Sequence, residues 1–225
     1  MKIANAKSQS LDNYQARYTN SAFSEDTHIE NDGETLRMIL GGVEFSGNDF
    51  DSLSPAKELT PDQLKHYPLD DQWLCLCTIE CQVPVLIISP SSETNGIIDF
   101  KLTLGDPSSN GLVDCKLHVD IIFGGKVFSG PGESGWFEDE LLEIQKQLPD
   151  GVFFQSCINC AYSDYSPYGH GLFGSMMCFR NMKEQYLRVD SKDEFWAIHD
   201  HYERKVQETY CCKEFDRRTG AGYRG

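Results

Sequence analysis

Five cysteines in the last third of the chain have the types and spacing for metal chemistry. Cys157 and Cys160 form a C-x2-C pair, Cys178 follows, and Cys211-Cys212 form a doublet. A C-x2-C pair sets two thiolates on one tight turn, at the separation a tetrahedral ion with ~2.3 Å Zn–S bonds requires. Single cysteines arriving from two later segments close the shell. The expected ligands are Cys157, Cys160, Cys178 and Cys212, and the expected cofactor is zinc in a closed structural site, because four cysteines leave no position for water. Such a shell carries a net charge of about −2, which nearby cations must offset. Arg180, Lys183, Lys213, Arg217 and Arg218 flank the later cysteines. The competing reading is a set of small buried thiols, which protein cores accept readily.

Helix geometry selects Cys212 over Cys211. A helix starting at Ser191, in a capping box with Glu194, buries Phe195, His199, Tyr202 and Val206 on one stripe. Continued at ~100° per residue, it brings Cys212 closer to that stripe than Cys211. A catalytic site would instead use His170 as a ligand, keep a metal-bound water and take Asp164 as general base. His170, however, lies between glycines just after Pro167, the composition of a surface turn. His199 and His201 are two apart on the expected helix and cannot face one metal together.

Other motifs are weaker. The segment Ser129 to Gly135 resembles an anion cradle before a helix, but it lacks the Gly-Lys-Ser/Thr ending, and Glu138, Asp139 and Glu140 would repel a phosphate. Acid clusters such as Asp49 with Asp51 miss the spaced oxygens of a calcium loop. Tyr162, Tyr165, Tyr168, Phe173 and Phe179 are read as packing around the cysteine module, since the acidic charge argues against base stacking. Cys75, Cys77 and Cys81 share a face with Trp73, Ile79 and Val83, which describes a core.

The elements that must position the cysteines follow from periodicity. Apolar residues alternate with polar ones from Trp73 to Ile87, from Ile98 to Leu104 and from Leu112 to Phe123, the pattern of half-exposed antiparallel strands. Pro84 suggests an edge or a bulge. Asn31-Asp32-Gly33, Gly41-Gly42 and Gly124-Gly125 mark hairpins. Thr60-Pro61-Asp62-Gln63 opens a short helix. Phe137, Leu141, Ile144 and Leu148 shift to a helical period behind three acids that favour the helix start, and Pro149 stops it. The fold expected is α+β: an acidic antiparallel β-sandwich or twisted sheet over residues 1–129, then a helical, zinc-stabilised module over 130–225, with one continuous domain as the alternative. The basic, glycine-rich end from Arg217 is expected to fray unless it docks on the acidic sheet.

Composition narrows the function class. Of the formal charge of −15, residues 1–150 hold 10 Lys/Arg against 25 Asp/Glu and residues 151–225 hold 10 against 10. A surface of that sign repels nucleic acid and anionic lipid and speeds encounter with basic proteins. No apolar run long enough for targeting or membrane crossing is read. An odd count of nine cysteines points to the reducing cytoplasm.

The string from Cys157 through Ser163, Asp164, Tyr165, Ser166, Pro167 and Gly169 to Cys178 and Arg180, with the ending Gly222 to Gly225, resembles an uncharacterised family of bacterial proteins. The likeness covers the last 75 residues, extends loosely over Gly130 to Pro149 and hardly touches the amino-terminal sheet. The doubled Cys211-Cys212 departs from that family's single-cysteine pattern. In general character the chain also resembles the immunity proteins that neutralise bacterial toxins. The function expected is therefore non-enzymatic protein binding around a structural zinc, with inhibition of a basic toxin as one form. A zinc hydrolase and a structural or assembly protein are the alternatives.

Overall fold

The structure, a computed structural model, describes residues 12–109, 111–169, 175–220 and 222–224. The chain opens with five strands: β1 (Asp12–Thr19), β2 (Ser24–Asn31), β3 (Leu36–Leu40), β4 (Val43–Gly47) and β5 (Ser54–Pro55). Helix α1 (Pro61–Leu64) and the small hairpin β6 (Leu69–Asp70) and β7 (Trp73–Leu74) lead into the long strands β8 (Cys77–Ile88) and β9 (Glu93–Leu104). The hairpin β10 (Asp106–Ser108) and β11 (Gly111–Val113) precedes β12 (Lys116–Phe123) and β13 (Lys126–Ser129). Helix α2 (Phe137–Gln147) and β14 (Phe153–Gln155) follow. The remainder carries β15 (Ser163–Asp164), β16 (Ser175–Cys178), α3 (Lys183–Tyr186), α4 (Lys192–Ile198) and β17 (Arg204–Gln207).

Period-two alternation becomes one large antiparallel sheet, ordered β13-β12-β9-β8-β1-β2-β3-β4-β5, with β14 joined to the far end of β8. Because side chains alternate between faces, each strand sends one set inward: Ile79, Cys81 and Val83 from β8, Ile98, Phe100 and Leu102 from β9, Leu117, Val119 and Ile121 from β12. The layer over that face is not a second large sheet. It consists of α2 and a small sheet, β15-β16-β17, both contributing to the same apolar core. Phe137 of α2 meets Phe100 edge-on at a 5.0 Å ring separation, and Phe50 meets Phe100 at 4.8 Å. The result is an α+β fold of mostly antiparallel strands with few, short helices. The main core cluster takes residues from both sides of residue 130, and a second, smaller one gathers Met177, Phe179, Tyr186, Val189 and Phe195.

Turn residues act as their chemistry requires. Gly41-Gly42 and Gly124-Gly125 have positive φ at both positions, the conformation of a two-residue hairpin whose twist matches its strands. Thr60 and Gln63 form the reciprocal capping box at α1. Leu76, at φ 47°, supplies the kink between β7 and β8. Pro84, expected at an edge or a bulge, sits in a central strand. It lies in the gap between the stretch of β8 paired to β1, Thr78 to Gln82, and the stretch paired to β14, Leu86 to Ile88. Only β9 pairs there, so a missing donor is tolerated.

The helix expected from Ser191 to Val206 and beyond ends at Ile198, and a single 3-10 turn, His199–His201, follows. Val206 is a strand residue opposite Met176. Pairing to β16 overrides a helical spacing that also suits a strand, so the argument that chose Cys212 over Cys211 does not hold.

The loop before α2 does cradle an anion, and the anion is internal. The amides of Gly132 and Ser134 and the Ser134 hydroxyl donate to the buried Glu140 carboxylate at 2.7, 3.2 and 2.8 Å. Glu140→Ala leaves these donors without their acceptor and is expected to cost ~3 kcal/mol of stability in urea unfolding. A loss below ~1 kcal/mol would contradict the assignment.

Candidate functional site

Three segments carry the five later cysteines. The 3-10 turn Cys157–Asn159 follows β14, and its cap, Cys160, donates its amide to the Cys157 carbonyl at 3.1 Å. Cys178 ends β16 opposite Ser163. The doublet arrives because the Cys157 amide donates to the Tyr210 carbonyl at 2.6 Å and the Ile158 amide to that of Glu208 at 3.1 Å. All nine cysteines are free thiols, and Cys157, Cys160 and Cys178 are buried.

Electrostatics tie the five together. Burial first, then charge at Cys160, Cys178, Cys211 and Cys212, pushes the Cys157 thiol well up. Burial, with Cys212 and Cys160 nearby, pushes Cys178 up to about 11, and burial with the same two neighbours pushes Cys211 up to about 12. Opposing this, backbone N–H groups of Tyr162 and Asp216 face the Cys160 sulfur, and that of Arg180 faces the Cys178 sulfur. Those contacts favour thiolates. Among the described residues, no group of three or more His, Cys, Asp and Glu side chains stands ready to hold a metal ion. The thiols share a neighbourhood without meeting at a point.

The tail, read as fraying or docking on the sheet, docks instead on the cysteine turn. Arg217 pairs with Cys160 as an isolated bridge, and the Ala161 amide donates to the Asp216 carbonyl at 2.7 Å. The Arg218 guanidinium donates to the carbonyls of Cys160 at 3.3 Å and Ser163 at 2.8 Å and to the Tyr186 hydroxyl at 2.7 Å. Arg224 donates to the carbonyls of Ile158 at 2.6 Å and Ser163 at 3.2 Å and to the Ser163 hydroxyl at 3.0 Å. Asp164, 2% exposed, accepts from the Tyr186 hydroxyl and the Tyr165 amide, both at 2.8 Å. Glu208 accepts from the Tyr165 hydroxyl, and burial holds its carboxyl well above the ordinary range. Tyr186 and Glu208 are thus neighbours of the cysteine turn that the sequence did not single out, whereas Ser163 and Arg224 stood out only within the string that carries the resemblance. A cavity of about 360 Å³ opens beside Asp164, between Tyr165, Lys192, Phe195 and Arg224.

Of the histidines weighed as ligands, His170 lies outside the described residues. His199 is buried with Nδ1 2.9 Å from the Trp196 carbonyl oxygen, and it packs on Tyr168 and Trp196. Glu80, Asp99 and Asp120 are half-buried and Asp114 is exposed, and three of them have company. Glu80 pairs with Lys101 at 3.0 Å, Asp120 with His118 at 3.4 Å, and Asp99 accepts from Gln82 at 3.3 Å. Asp114 sits in an exposed turn at φ 58°. The outer face between β2 and β9 forms a hollow of about 610 Å³ in which Asp26, Arg17, Glu80 and Lys101 alternate in sign across the strands. Among the described residues no helix is long and apolar enough to cross a membrane.

The chain belongs to a family of unknown function, DUF6304, whose model matches residues 12–163. The match runs over the sheet, α2 and the C-x2-C turn. It therefore falls mainly where the sequence string showed hardly any likeness, and it stops before Cys178, Cys211 and Cys212. No curated protein and no solved structure matches the chain.

Asp164 makes stability depend on pH. Burial raises its carboxyl from 3.8 to about 6, against the lowering effects of Tyr186, the Tyr165 amide, Arg224 and Arg218. Below the unfolded value both states are protonated, and between the two values only the folded state keeps the proton. Stability from this group is therefore full in acid and is lost as pH rises through about 6. Asp164→Asn, which cannot ionise, is expected to gain ~2 kcal/mol on the wild type between pH 4 and pH 7 in urea melts. A difference constant over that interval would contradict the burial argument.

Proposed function

We propose that the protein is a non-catalytic protein-binding module whose carboxy-terminal third is closed by a structural zinc on Cys157, Cys160, Cys178 and Cys212. The observation that supports this reading is the convergence of three separate segments on the C-x2-C turn, through the Cys157 amide on the Tyr210 carbonyl, the Ile158 amide on the Glu208 carbonyl and Cys178 opposite Ser163. Protonated thiols have no ion drawing them together, and the shell would form as they turn about χ1 and release their protons to solvent while zinc takes their place. Cys212 is the fourth ligand of this proposal and Cys211, the other half of the doublet beside Cys157, is the alternative.

The partner is a protein with a basic surface, and an immunity-type inhibitor of a basic toxin, working in the reducing cytoplasm, is the form of this reading that the charge favours. The excess of 25 acids over 10 bases before residue 151 supports it. Since Glu80 and Asp120 are paired locally, steering belongs to the net field and not to one acidic patch. The zinc hydrolase reading is weaker. Its proposed base, Asp164, is 2% exposed and already engaged by Tyr186 and Tyr165.

Elemental analysis with a thiol count separates these readings. One zinc per chain with four protected thiols is expected. Three protected thiols per zinc would favour the hydrolase, and metal-free protein would contradict the module. Binding to a basic protein partner is expected to weaken at least tenfold between ~0.05 and ~0.5 M salt. An affinity indifferent to salt would remove the electrostatic part of the proposal.

A further inference from the structure

We infer that the end of the large sheet where β7 leads into β8 and the β10–β11 hairpin folds back is a docking surface for a basic protein segment that presents an apolar side chain among lysines or arginines. This rests on the protein-binding reading above, says where the partner sits, and is independent of zinc.

Three large apolar side chains stand open at this end: Trp73 at 42%, Leu76 at 47% and Val113 at 45% exposure. They form one patch. Register places Trp73 beside Asp70 in the β6–β7 hairpin and Val113 beside Asp106 in the β10–β11 hairpin. The Leu76 amide donates to the Gly105 carbonyl at 3.2 Å, and Gly105 has no side chain where the Val113 carbonyl comes close, so Leu76 joins the two hairpins. The charges of Asp70 and Asp106 both reach the Cys75 thiol, which sets these acids around one point. An apolar centre with a polar rim is the anatomy of a protein contact.

The needs of the fold do not account for Leu76. A leucine at φ 47° is strained, and the burial that would compensate for it is missing. Glycine or asparagine would make the same kink. Among the described residues, the other non-glycine positions at positive φ, Asp71 and Asp114, directly follow Asp70 and Val113, so the bends that turn side chains outward are gathered here. Charge selects the occupant. From Tyr67 to Cys115 the chain carries seven acids and one base, Lys101, which pairs with Glu80 on the outer face. Two bases border the patch: Lys116 opens β12 opposite Thr103, and Lys205 shares a hollow with Trp73 but acts on Asp49. The four acids of the rim stay in excess, and they attract a basic partner and repel a second copy of this acidic chain.

The probe is a phage-displayed library of random peptides, selected on the full-length chain. Peptides with an aromatic or aliphatic residue among lysines and arginines are expected to be enriched. An enriched peptide is then synthesised, and its affinity for the wild type, Leu76→Asn and Ile39→Asn is measured by fluorescence anisotropy. Asparagine tolerates positive φ, so Leu76→Asn is expected to keep or exceed the wild-type urea midpoint while binding the peptide at least ~10-fold more weakly. Ile39→Asn, which removes a side chain 59% exposed on β3, is expected to stay within about twofold of the wild type. Should the Leu76→Asn midpoint fall, Asp70→Asn combined with Asp106→Asn, which keeps the shape and removes rim charge, takes its place with the same loss expected. Wild-type affinity in these variants would overturn the docking surface and leave the basic-partner reading standing. Selection that enriches no basic peptide would overturn both. A wild type that sediments as a dimer, with Leu76→Asn a monomer, would give the patch to a second copy and overturn the inference.

Discussion

Between Ile158 and Ser163 the chain turns through the interior with its carbonyl oxygens facing guanidinium groups that arrive 55 to 66 residues downstream, from Arg218 and Arg224. Buried carbonyls without donors would cost several hydrogen bonds, so this turn holds its shape only while the tail is in place. The same turn carries Cys157 and Cys160. Whatever fixes its backbone also fixes two sulfurs, and the strand and loop that bring Cys178 and the doublet converge on it. Tail, turn and sulfurs are one mechanical unit.

The large sheet is the platform under that unit. Its apolar face accepts α2 and the small sheet, and specific polar contacts set their position. Arg204 donates to the Asp32 carbonyl at 3.1 Å and Gln207 to the Asn48 carbonyl at 2.9 Å, so β17 is tied to the hairpin ends of β2 and β4. Gly33 lies at φ 88° with Arg204 and Tyr210 packed where a side chain would stand, so bulk at that turn would push the two parts away from each other. The opposite face of the sheet is wet and interleaves charges, which suits solubility and long-range steering better than tight local recognition.

Much of this architecture was legible in the residues. Alternation over Trp73 to Ile87 and Leu112 to Phe123 identifies strands with one buried face, and paired glycines identify the hairpins, because both signals are local. Trp73 and Val113, read as inward, are exposed, since Leu76 and Asp114 at positive φ interrupt the strands beside them. Helix α2 was legible for the same reason. The small sheet was not. Val206 sits at a spacing compatible with a helix from Phe195, and only its long-range pairing with Met176 decides for a strand. Glu140 was read as a repellent for an outside anion, when it fills the cradle itself. The arginines of the tail were legible as charge but not as partners, since hydrogen bonds to carbonyl oxygens leave no pattern in the side chains they reach. The sulfurs stood out by spacing, but which of Cys211 and Cys212 points inward depends on a loop that periodicity does not describe.

Zinc-edge X-ray absorption on the purified protein addresses the sulfur cluster directly. The account predicts a bound zinc with about four sulfur neighbours at ~2.3 Å and no oxygen or nitrogen in the inner shell. A shell with light-atom ligands, or protein that is folded and free of zinc after purification without chelators, would contradict it.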